Sequence, residues 1–383
     1  MTRENEEQRL MRVLERRIGR RDLLQNGAAM ALIAGLAGCG AGNSTSGSKE
    51  DTEKPIAKKI DGDLLYFNYA EYVDPKLVKG FEKKYGVRVR ESYFDSMSAM
   101  TAKLRAGIAY DLIFPSGEYV QRLIAGNLLR RIDRDKIKNV DAVYDYFADP
   151  WYDKDSEHST PYGMYATGLG YRTDKVSGMT GSWRDLGNAD SDDKSFLLDD
   201  YQEGIGMANL VNGYPLNEVD EAKLEKSLDY LVDLKPKLRG ISTDTITNMT
   251  SGNANIQHLW NGDIVNIRYG VDNPEDFKFQ KCKEGIPVGS DNFCIPVNSK
   301  HPGTALLFIE WLLEPEHAAQ NVEWIGYPMP YDGAPTEAFQ GLVKDDPEIN
   351  VTVEDLEQGQ QYENLKGEGR LAWDKVWTEF RVS

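Results

Sequence analysis

The chain has 383 residues, of which 40% are hydrophobic and 28% are charged, and its formal net charge is -17. The length exceeds that of one typical core, so we expect two lobes. The acidity argues against a nucleic-acid partner, because phosphates demand Lys and Arg. It is compatible with a cationic ligand, although solvated surface accounts for such a charge equally well.

The first 38 residues are predicted to be an export signal. The pair Arg20-Arg21 precedes a short apolar run over 28–37, too short for a mature membrane helix of about 20 residues. A basic region, a short apolar core and small residues after it are typical of a secretory signal. The arginines resemble a twin-arginine signal, and Leu36-Ala37-Gly38-Cys39 resembles a bacterial lipobox. These resemblances imply cleavage before Cys39 and lipidation of its sulfur.

Residues 39–60 are predicted to include the lipidated Cys39 and a flexible tether. The segment is rich in Gly, Ser, Thr, Lys and Glu and has few large apolar residues. Such a composition cannot bury enough surface to order itself. We therefore expect it to hold a folded domain away from the membrane.

The folded part begins with an alternation of strands and helices. An apolar, aromatic strand over 64–67 is followed by helical spacing over 77–85 and by strand-like alternation over 87–93. A second helix over 97–107, a short strand over 111–114 and a third helix come next. This order predicts an α/β fold with a parallel sheet and crossover connections.

Polar and aromatic side chains follow two of these strands where each one ends. They are Tyr69, Glu71 and Tyr72 after the first strand, and Ser116, Glu118 and Tyr119 after the third. Such residues lie at the carboxyl edge of the sheet, where ligands bind. Rings beside carboxylates suit an organic cation. The alternatives are that Tyr69 and Tyr72 only cap the core, and that Glu118 caps a helix or stands behind the site.

The alternation restarts in the second half of the chain. A buried strand over 196–198 ends in Asp199-Asp200-Tyr201-Gln202-Glu203, and a strand over 256–259 ends in Trp260-Asn261-Gly262-Asp263. A third strand is predicted over 293–296, just after Asp291. Two helices complete this part, one ending near Pro236 and one over 304–313.

Eight short motifs run through the folded chain in a fixed order. They are Tyr66-Phe67-Asn68-Tyr69-x-Glu71-Tyr72, Tyr110-Asp111-Leu112-Ile113-x-Pro115-Ser116, Pro161-Tyr162-Gly163, Ser182-Trp183-x-Asp185-Leu186, Leu198-Asp199-Asp200-x-x-Glu203, Leu259-Trp260-Asn261-Gly262, Asp291 ahead of Ile295-Pro296, and Ile325-Gly326-Tyr327-Pro328-x-Pro330. Together they resemble the bacterial spermidine/putrescine-binding proteins, the substrate-capturing subunits of polyamine ABC importers. The likeness spans residues 62–380.

The resemblance implies a two-lobed α/β fold of the type II periplasmic-binding-protein kind. The hinge is crossed more than once and the ligand cleft lies between the lobes. Lobe one is expected over 62–166 plus 290–335, and lobe two over 167–289 plus 336–383. The implied protein is an exported, lipid-anchored monomer, periplasmic or on the outer face of the cytoplasmic membrane. Its implied partners are a polyamine (putrescine or spermidine) and the permease of an ABC transporter.

The resemblance also assigns roles within the cleft. It implies aromatic walls at Tyr69, Tyr72 and Trp260, a hydroxyl at Ser116, and counter-charges at Asp200, Glu203 and Asp291. With the neighbouring candidates, the predicted contacts are Tyr69, Glu71, Tyr72, Ser116, Glu118, Tyr119, Asp200, Glu203, Trp260 and Asp291. From the residues alone, Asp200 and Glu203 are equally suited to cap a helix. Trp260 could be core, and Asp291 could start a turn.

Three positions depart from the family pattern, and a fourth aligns ambiguously. Glu118 stands at a usually aromatic position, Gly289 replaces a Trp, and Ala70 replaces a small hydroxyl residue. The carboxy-terminal polar contact aligns to either Gln361 or Tyr362. We therefore expect the site to lose one aromatic wall and to gain one carboxylate.

Enzyme motifs are absent from the sequence, which has no Gly-x-Ser-x-Gly elbow, Walker-type loop or His-Glu-x-x-His. Asp200 and Glu203, one helical turn apart, fit poorly to the two carboxylates that flank a glycosidic bond. We therefore predict a binding protein without catalytic activity or cofactor. A structural lipoprotein without a ligand is a further hypothesis, which a closed surface between the lobes would support.

The alternative function is a related ABC solute-binding protein for an opine or amino-acid derivative, thiamine or iron. An anionic or zwitterionic ligand needs an arginine in the cleft, and Arg172 and Arg268 are the candidates. Iron calls for converging Tyr oxygens with His or carboxylate, and no His lies in the predicted cleft. Cys282 and Cys294 could pair in an oxidising compartment or remain buried free thiols.

Overall fold

The computed structural model describes residues 53–94, 96–331, 339–341 and 346–383. The predicted signal peptide, Cys39 and most of the predicted tether lie outside these residues. The end of the tether is described and is attached to the domain, because Ile56 is buried and Lys58 Nζ lies 2.7 Å from Glu310 Oε2. Within the described ranges, no helix has the length and hydropathy needed to cross a membrane.

Nine strands of the described chain form one sheet. They are β1 (Leu64–Asn68), β2 (Val89–Tyr93), β3 (Leu112–Ile113), β4 (Ser159–Arg172), β5 (Ser195–Leu197), β6 (Gly240–Ile241), β7 (Ile256–Trp260), β8 (Phe277–Gln280) and β9 (Val288–Cys294). Their order is β2-β1-β3-β9-β4-β7-β5-β6, and β8 also pairs with β4. β1 runs parallel to β2 and β3 as predicted, but β9 runs antiparallel to β3 and β4. The sheet is therefore mixed.

The long strand β4 joins two halves of the sheet. Residues 159–166 pair with β9, whereas residues 167–172 pair with β7 and β8. We call β1, β2, β3, β9 and residues 159–166 the first sheet half, and β5 to β8 with residues 167–172 the second sheet half. Gly168 permits the close approach of β8, because a Cβ there would lie 2.3 Å from the Gln280 carbonyl oxygen.

The helices cover the sheet and follow its strands. They are α1 (Pro75–Tyr85), α2 (Met97–Arg105), α3 (Gly117–Ala125), α4 (Asp185–Asn188), α5 (Tyr201–Val211), α6 (Glu221–Leu234), α7 (Thr245–Thr250), α8 (Asn261–Tyr269), α9 (Pro302–Leu312), α10 (Pro315–Ile325), α11 (Val353–Gln358) and α12 (Gly367–Val382). Local sequence explains the ends of α1: Asp74 caps it, Pro75 opens it, and Gly86 closes it at a φ of 69°.

Buried apolar side chains pack on both sheet halves. Phe67 and Cys294 belong to a cluster of the first sheet half, whereas Trp183 and Cys282 belong to a cluster of the second. Both thiols are free and buried. The disulfide that the sequence allowed is therefore not formed, because the two cysteines lie in separate clusters.

A candidate ligand-binding cavity between the two sheet halves

A cavity of about 380 Å³ lies between the first and second sheet halves. Its walls come from the residues that follow β1, β3, β5 and β7, and from β9 itself. The ends of several strands therefore meet at one place, as they do at the ligand sites of α/β proteins. The charged lining residues are all acidic: Glu71, Glu118, Asp200, Glu203, Asp244, Asp263 and Asp291.

The structure brings nine of the ten predicted contact residues to this cavity. They are Tyr69, Glu71, Tyr72, Ser116, Glu118, Asp200, Glu203, Trp260 and Asp291. Their positions along the chain span more than 200 residues, so only the fold brings them together. Glu71 is exposed at the cavity, and its backbone carbonyl accepts a hydrogen bond from Trp324 Nε1 at 2.9 Å.

Tyr119 is the predicted contact that lies elsewhere. Its hydroxyl is 3.1 Å from Ser98 Oγ, and its ring lies 4.3 Å from the Arg122 guanidinium carbon. It lines a second cavity of about 360 Å³, next to Asp200. Consecutive helical residues are rotated by about 100° relative to each other, and here Glu118 faces the first cavity whereas Tyr119 faces the second.

One group of lining residues consists of two carboxylates and their neighbours, and we call it the Asp291 wall: Tyr72, Ser116, Glu118 and Asp291. Asp291 lies within β9, so the alternative in which it starts a turn is not observed. Tyr72 Oη donates to Asp291 Oδ2 at 2.7 Å, and Ser116 Oγ donates to Glu118 Oε1 at 2.8 Å. Burial raises the pKa of Asp291 to about 7 and that of Glu118 to about 7.

The second group forms what we call the Glu203 wall, made of Thr167, Asp200, Glu203, Trp260 and Tyr362. Glu203 accepts hydrogen bonds from Thr167 Oγ1 at 3.0 Å, Trp260 Nε1 at 3.1 Å and Tyr362 Oη at 2.8 Å. Burial, followed by the charge of Asp200, raises the pKa of Glu203 to about 8. Burial also raises the pKa of Asp200.

Asp200 has both of the roles that the sequence left open. It is the N-cap of α5, and its Oδ1 accepts the backbone N–H of Gln202 at 2.8 Å and of Glu203 at 3.2 Å. It also lines the cavity. The cap fixes the direction in which α5 presents Glu203.

Asp263 and Tyr327 are lining residues that the sequence analysis did not select. Asp263 Oδ2 accepts from Thr245 Oγ1 at 2.8 Å, and its Oδ1 accepts from Tyr327 Oη at 3.2 Å. Burial raises the pKa of Asp263 to about 6. The available signal was that Asp263 lies in the first turn of the helix after β7, at the carboxyl edge of the sheet where ligands bind.

Tyr165 is a further missed lining residue, and it changes the expectation of a lost aromatic wall. It lies opposite Gly289 in the pairing of β4 with β9. A Cβ at Gly289 would lie 2.5 Å from Tyr165 Oη, so glycine leaves the room that this ring occupies. The site therefore has an aromatic wall beside Gly289, supplied by β4 rather than by β9.

The carboxy-terminal position that aligned ambiguously is resolved in favour of Tyr362 as the lining residue. Tyr362 lines the cavity and donates to Glu203. Gln361 lies outside it, where its Oε1 accepts from Trp151 Nε1 at 2.8 Å and its Nε2 donates to Tyr146 Oη at 2.6 Å.

The five inward carboxylates are Glu118, Asp200, Glu203, Asp263 and Asp291. Among the described residues, none of the five forms an ion pair with Lys or Arg, and no Lys, Arg or His lines the cavity. His258 Nε2 is 4.0 Å from Glu203 Oε2, but burial lowers the pKa of His258 to about 3, so its ring is neutral.

The two candidate arginines lie elsewhere. Arg172 pairs with Asp174 at 2.8 Å. Arg268 pairs with Asp346 at 2.5 Å and also donates to the Phe277 carbonyl oxygen. Neither lines the cavity, and the described part of the chain holds no cluster of His, Cys, Asp and Glu suited to a metal ion. The arrangement is therefore chemically suited to an organic cation.

Known proteins are similar to this chain in sequence and in fold. Residues 76–351 match the family model "Bacterial extracellular solute-binding protein". The spermidine/putrescine-binding periplasmic protein of Escherichia coli K12 is 30% identical over 327 residues, which cover 84% of this chain and 92% of the relative.

Solved structures agree. A putative spermidine/putrescine ABC transporter protein from Listeria monocytogenes superposes with a TM-score of 0.75 and 27% identity. The TpPotD lipoprotein of Treponema pallidum superposes with a TM-score of 0.71 and 26% identity. Each alignment covers 84% of this chain and 99% of the other. The expected type II binding-protein fold, with a ligand cleft, is confirmed. The chain belongs to the family of bacterial extracellular solute-binding proteins.

Proposed function

We propose that this protein captures a polyamine outside the cytoplasm and delivers it to the permease of an ABC importer. The observation that carries the proposal is a cavity whose charged lining residues are all acidic and have no basic partner among the described residues. The relative from Escherichia coli is named for spermidine and putrescine binding, which supports the same ligand class.

The chemistry of a polyamine matches these walls. Each ammonium needs a carboxylate and further acceptors, because stripping its water is costly. A charge-assisted hydrogen bond to a carboxylate contributes about 1.5–3 kcal/mol, and a cation over an aromatic face about 0.5–2 kcal/mol. The methylenes between the charges gain about 0.8 kcal/mol each against apolar walls. Tyr69, Tyr165 and Trp260 supply the faces, and the five inward carboxylates supply the charges.

The buried carboxylates destabilise the ligand-free protein, and the relief of this destabilisation couples ligand binding to closure of the lobes. Burial raises the pKa of each of the five carboxyls, which means that their charged forms are disfavoured. A cation bound between the walls relieves this penalty only when both walls reach it. Ligand binding therefore favours the closed arrangement of the lobes.

The other ligand classes fit less well. An opine or amino-acid derivative carries a carboxylate, and neither Arg172 nor Arg268 lines the cavity to receive it. Ferric iron calls for several Tyr oxygens with His or carboxylate at one point. The described lining contains no His, and the described residues form no cluster of His, Cys, Asp and Glu that could hold a metal ion there. The cationic ligand is therefore the better match.

Calorimetric titration of the protein without residues 1–38 tests the ligand class. We expect 1:1 binding to at least one of putrescine, spermidine and spermine, and no heat of binding with an amino-acid panel. Tight binding of an amino-acid derivative or thiamine, with none of any polyamine, would contradict the proposal.

We also propose that Arg20-Arg21 and Cys39 direct export and lipid anchoring. The Treponema pallidum relative is named a lipoprotein, which supports an anchor. Replacement of Cys39 by Ala should release the protein from the membrane fraction, whereas Ser44→Ala, in the same segment, should not. Membrane retention of Cys39→Ala would mean that another anchor exists.

We infer lobe boundaries from the same fold. Lobe one would contain residues 62–166 plus 290–335, and lobe two residues 167–289 plus 336–383. The change of partners along β4, from β9 up to residue 166 to β7 from residue 167, supports the first boundary.

A further inference from the structure

Glu118 is a buried carboxylate at a position where the family resemblance assigns none. It is the second residue of α3, its side chain is 5% exposed, and it lines the cavity. Ser116 Oγ donates to one of its oxygens. Ser116 also pairs with Asp291 through an isolated antiparallel bridge. Glu118 and Asp291 therefore stand on one wall, held there by the same short turn.

Glu118 also approaches the opposite wall. Tyr119, its neighbour in sequence, lines the second cavity together with Asp200. After burial, the charge of Asp200 is among the causes that raise the pKa of Glu118, and the charge of Glu118 raises that of Asp291. Glu118, Asp200 and Asp291 line the same cavity, so a ligand that fills it between Asp200 and Asp291 also has Glu118 in its wall.

Arg122 is the basic residue one turn further along α3; its charge lowers the pKa of Glu118, but its guanidinium contacts other groups. Its guanidinium carbon lies 4.3 Å from the centre of the Tyr119 ring. Its Nε donates to Asn364 Oδ1 at 3.0 Å. In the part of the chain that the structure describes, Glu118 has no ion pair with a basic side chain.

We propose that Glu118 selects for a charge in the middle of the ligand, so that the site prefers a triamine to a diamine. This inference rests on the proposed function. A diamine that spans the two walls sets uncharged methylenes against Glu118, and a buried carboxylate without a counter-charge is costly. The inner ammonium of a triamine supplies that counter-charge.

Two probes isolate the inner charge. Spermidine and 1,8-diaminooctane have the same number of chain atoms between their terminal nitrogens, and the second has a methylene where spermidine has its inner ammonium. We expect the wild-type protein to bind spermidine at least about tenfold more tightly, the loss expected for one charge-assisted hydrogen bond. In Glu118→Gln, this gap should fall to less than about threefold, because spermidine binding alone weakens.

The matched control is Glu225→Gln, which removes one negative charge from an exposed position of α6. It should keep the wild-type gap between the two amines. A melting curve of each variant shows that it is folded, and the wild-type comparison needs no variant at all.

The outcomes separate this inference from the proposed function. Equal affinity of the wild-type protein for the two probes overturns the inference and leaves polyamine binding intact. If the preference for spermidine over 1,8-diaminooctane persists in Glu118→Gln, the inference is likewise overturned and polyamine binding is left intact. Absence of binding to spermidine, spermine, putrescine and 1,8-diaminooctane overturns both the inference and the proposed function.

Discussion

The Glu203 wall and the Asp291 wall are both acidic, but they hold their carboxylates differently. Glu203 accepts three side-chain hydrogen bonds, from Thr167, Trp260 and Tyr362. Asp291 accepts one from Tyr72, the single side-chain donor to it among the described residues. An ionised carboxylate has about four acceptor sites, so Glu203 is largely satisfied by the protein, whereas Asp291 keeps most of its acceptors for a ligand.

This difference indicates that the two walls contribute to ligand binding in different ways. The Glu203 wall is preorganised, because its donors fix the carboxylate before any ligand arrives. Asp291 accepts fewer hydrogen bonds from the protein. The favourable interaction energy of the Asp291 wall is therefore gained mainly when a cation binds. Replacing a carboxylate on the Glu203 wall should therefore remove both a charge and a fixed orientation of the side chain. Replacing a carboxylate on the Asp291 wall should remove a charge alone.

The largest effect is expected from Glu203→Gln. The change removes a counter-charge and sets an amide N–H₂ group among three donors, so polyamine affinity should fall on the order of a hundredfold. Calorimetric titration measures this, with Glu225→Gln as the control. A loss of less than about threefold would mean that Glu203 supports the wall without meeting the ligand.

Asp291→Asn should weaken binding at least about tenfold, because one ammonium loses its counter-charge. Tyr72→Phe, which removes only the donor to Asp291, should cost less than Asp291→Asn in the same titration. Unchanged affinity in Asp291→Asn would remove this residue from the binding site.

A smaller effect is expected from pH. The pKa values of Asp291 and Glu118 are raised to about 7 and that of Glu203 to about 8, so these groups are partly protonated near neutral pH. A polyamine binds their ionised forms, so affinity should fall about fivefold or more from pH 7.5 to pH 6.5. Binding should also release protons, which titrations in two buffers of different ionisation enthalpy would measure.

The same shifts give the ligand-free protein the opposite trend in stability. A carboxyl whose pKa is raised on folding stabilises the fold fully below its unfolded pKa, and this contribution is lost as pH rises through the folded value. These groups should therefore lower the melting temperature of the ligand-free protein as the pH rises from about 4.5 to about 8. Stabilisation by spermidine should increase over the same interval, and a constant ligand effect would contradict the assignment.

The smallest effect is expected from Tyr119→Phe. The hydroxyl of Tyr119 meets Ser98 in the second cavity and lies outside both walls. Its loss should change polyamine affinity by less than about twofold, as expected for a group without ligand contact. A tenfold loss would return Tyr119 to the binding site.

Much of the fold, and five of the seven acidic residues in the described lining, followed from the sequence. Strand β1, helix α6 and strand β7 lie within a few residues of their predicted positions, because their apolar spacing and their flanking residues are unambiguous. The lining residues at the ends of β1, β3 and β5 were also expected, since polar residues after a buried strand lie at the carboxyl edge of the sheet, and Tyr119 is the exception.

The missed residues depend on long-range pairing. Tyr165 sits inside the apolar run of β4, and only its register with Gly289 places it beside the cavity. Asp291 was predicted as a counter-charge just ahead of a strand over 293–296, but it lies within β9, and a buried strand with a central carboxylate departs from the usual strand composition. The choice between Gln361 and Tyr362 required the position of Glu203, which no local pattern provides.

The continuity of β4 ties both walls to a single alignment of backbone. Tyr165 and Thr167 are two residues apart, so they project from the same face of the strand. One faces the cavity beside Gly289, and the other donates to Glu203. An insertion of one residue between β4 positions 159 and 164 that kept the pairing of the preceding residues would turn both side chains to the opposite face. A change in the register of β4 would therefore disrupt both sides of the cavity at once.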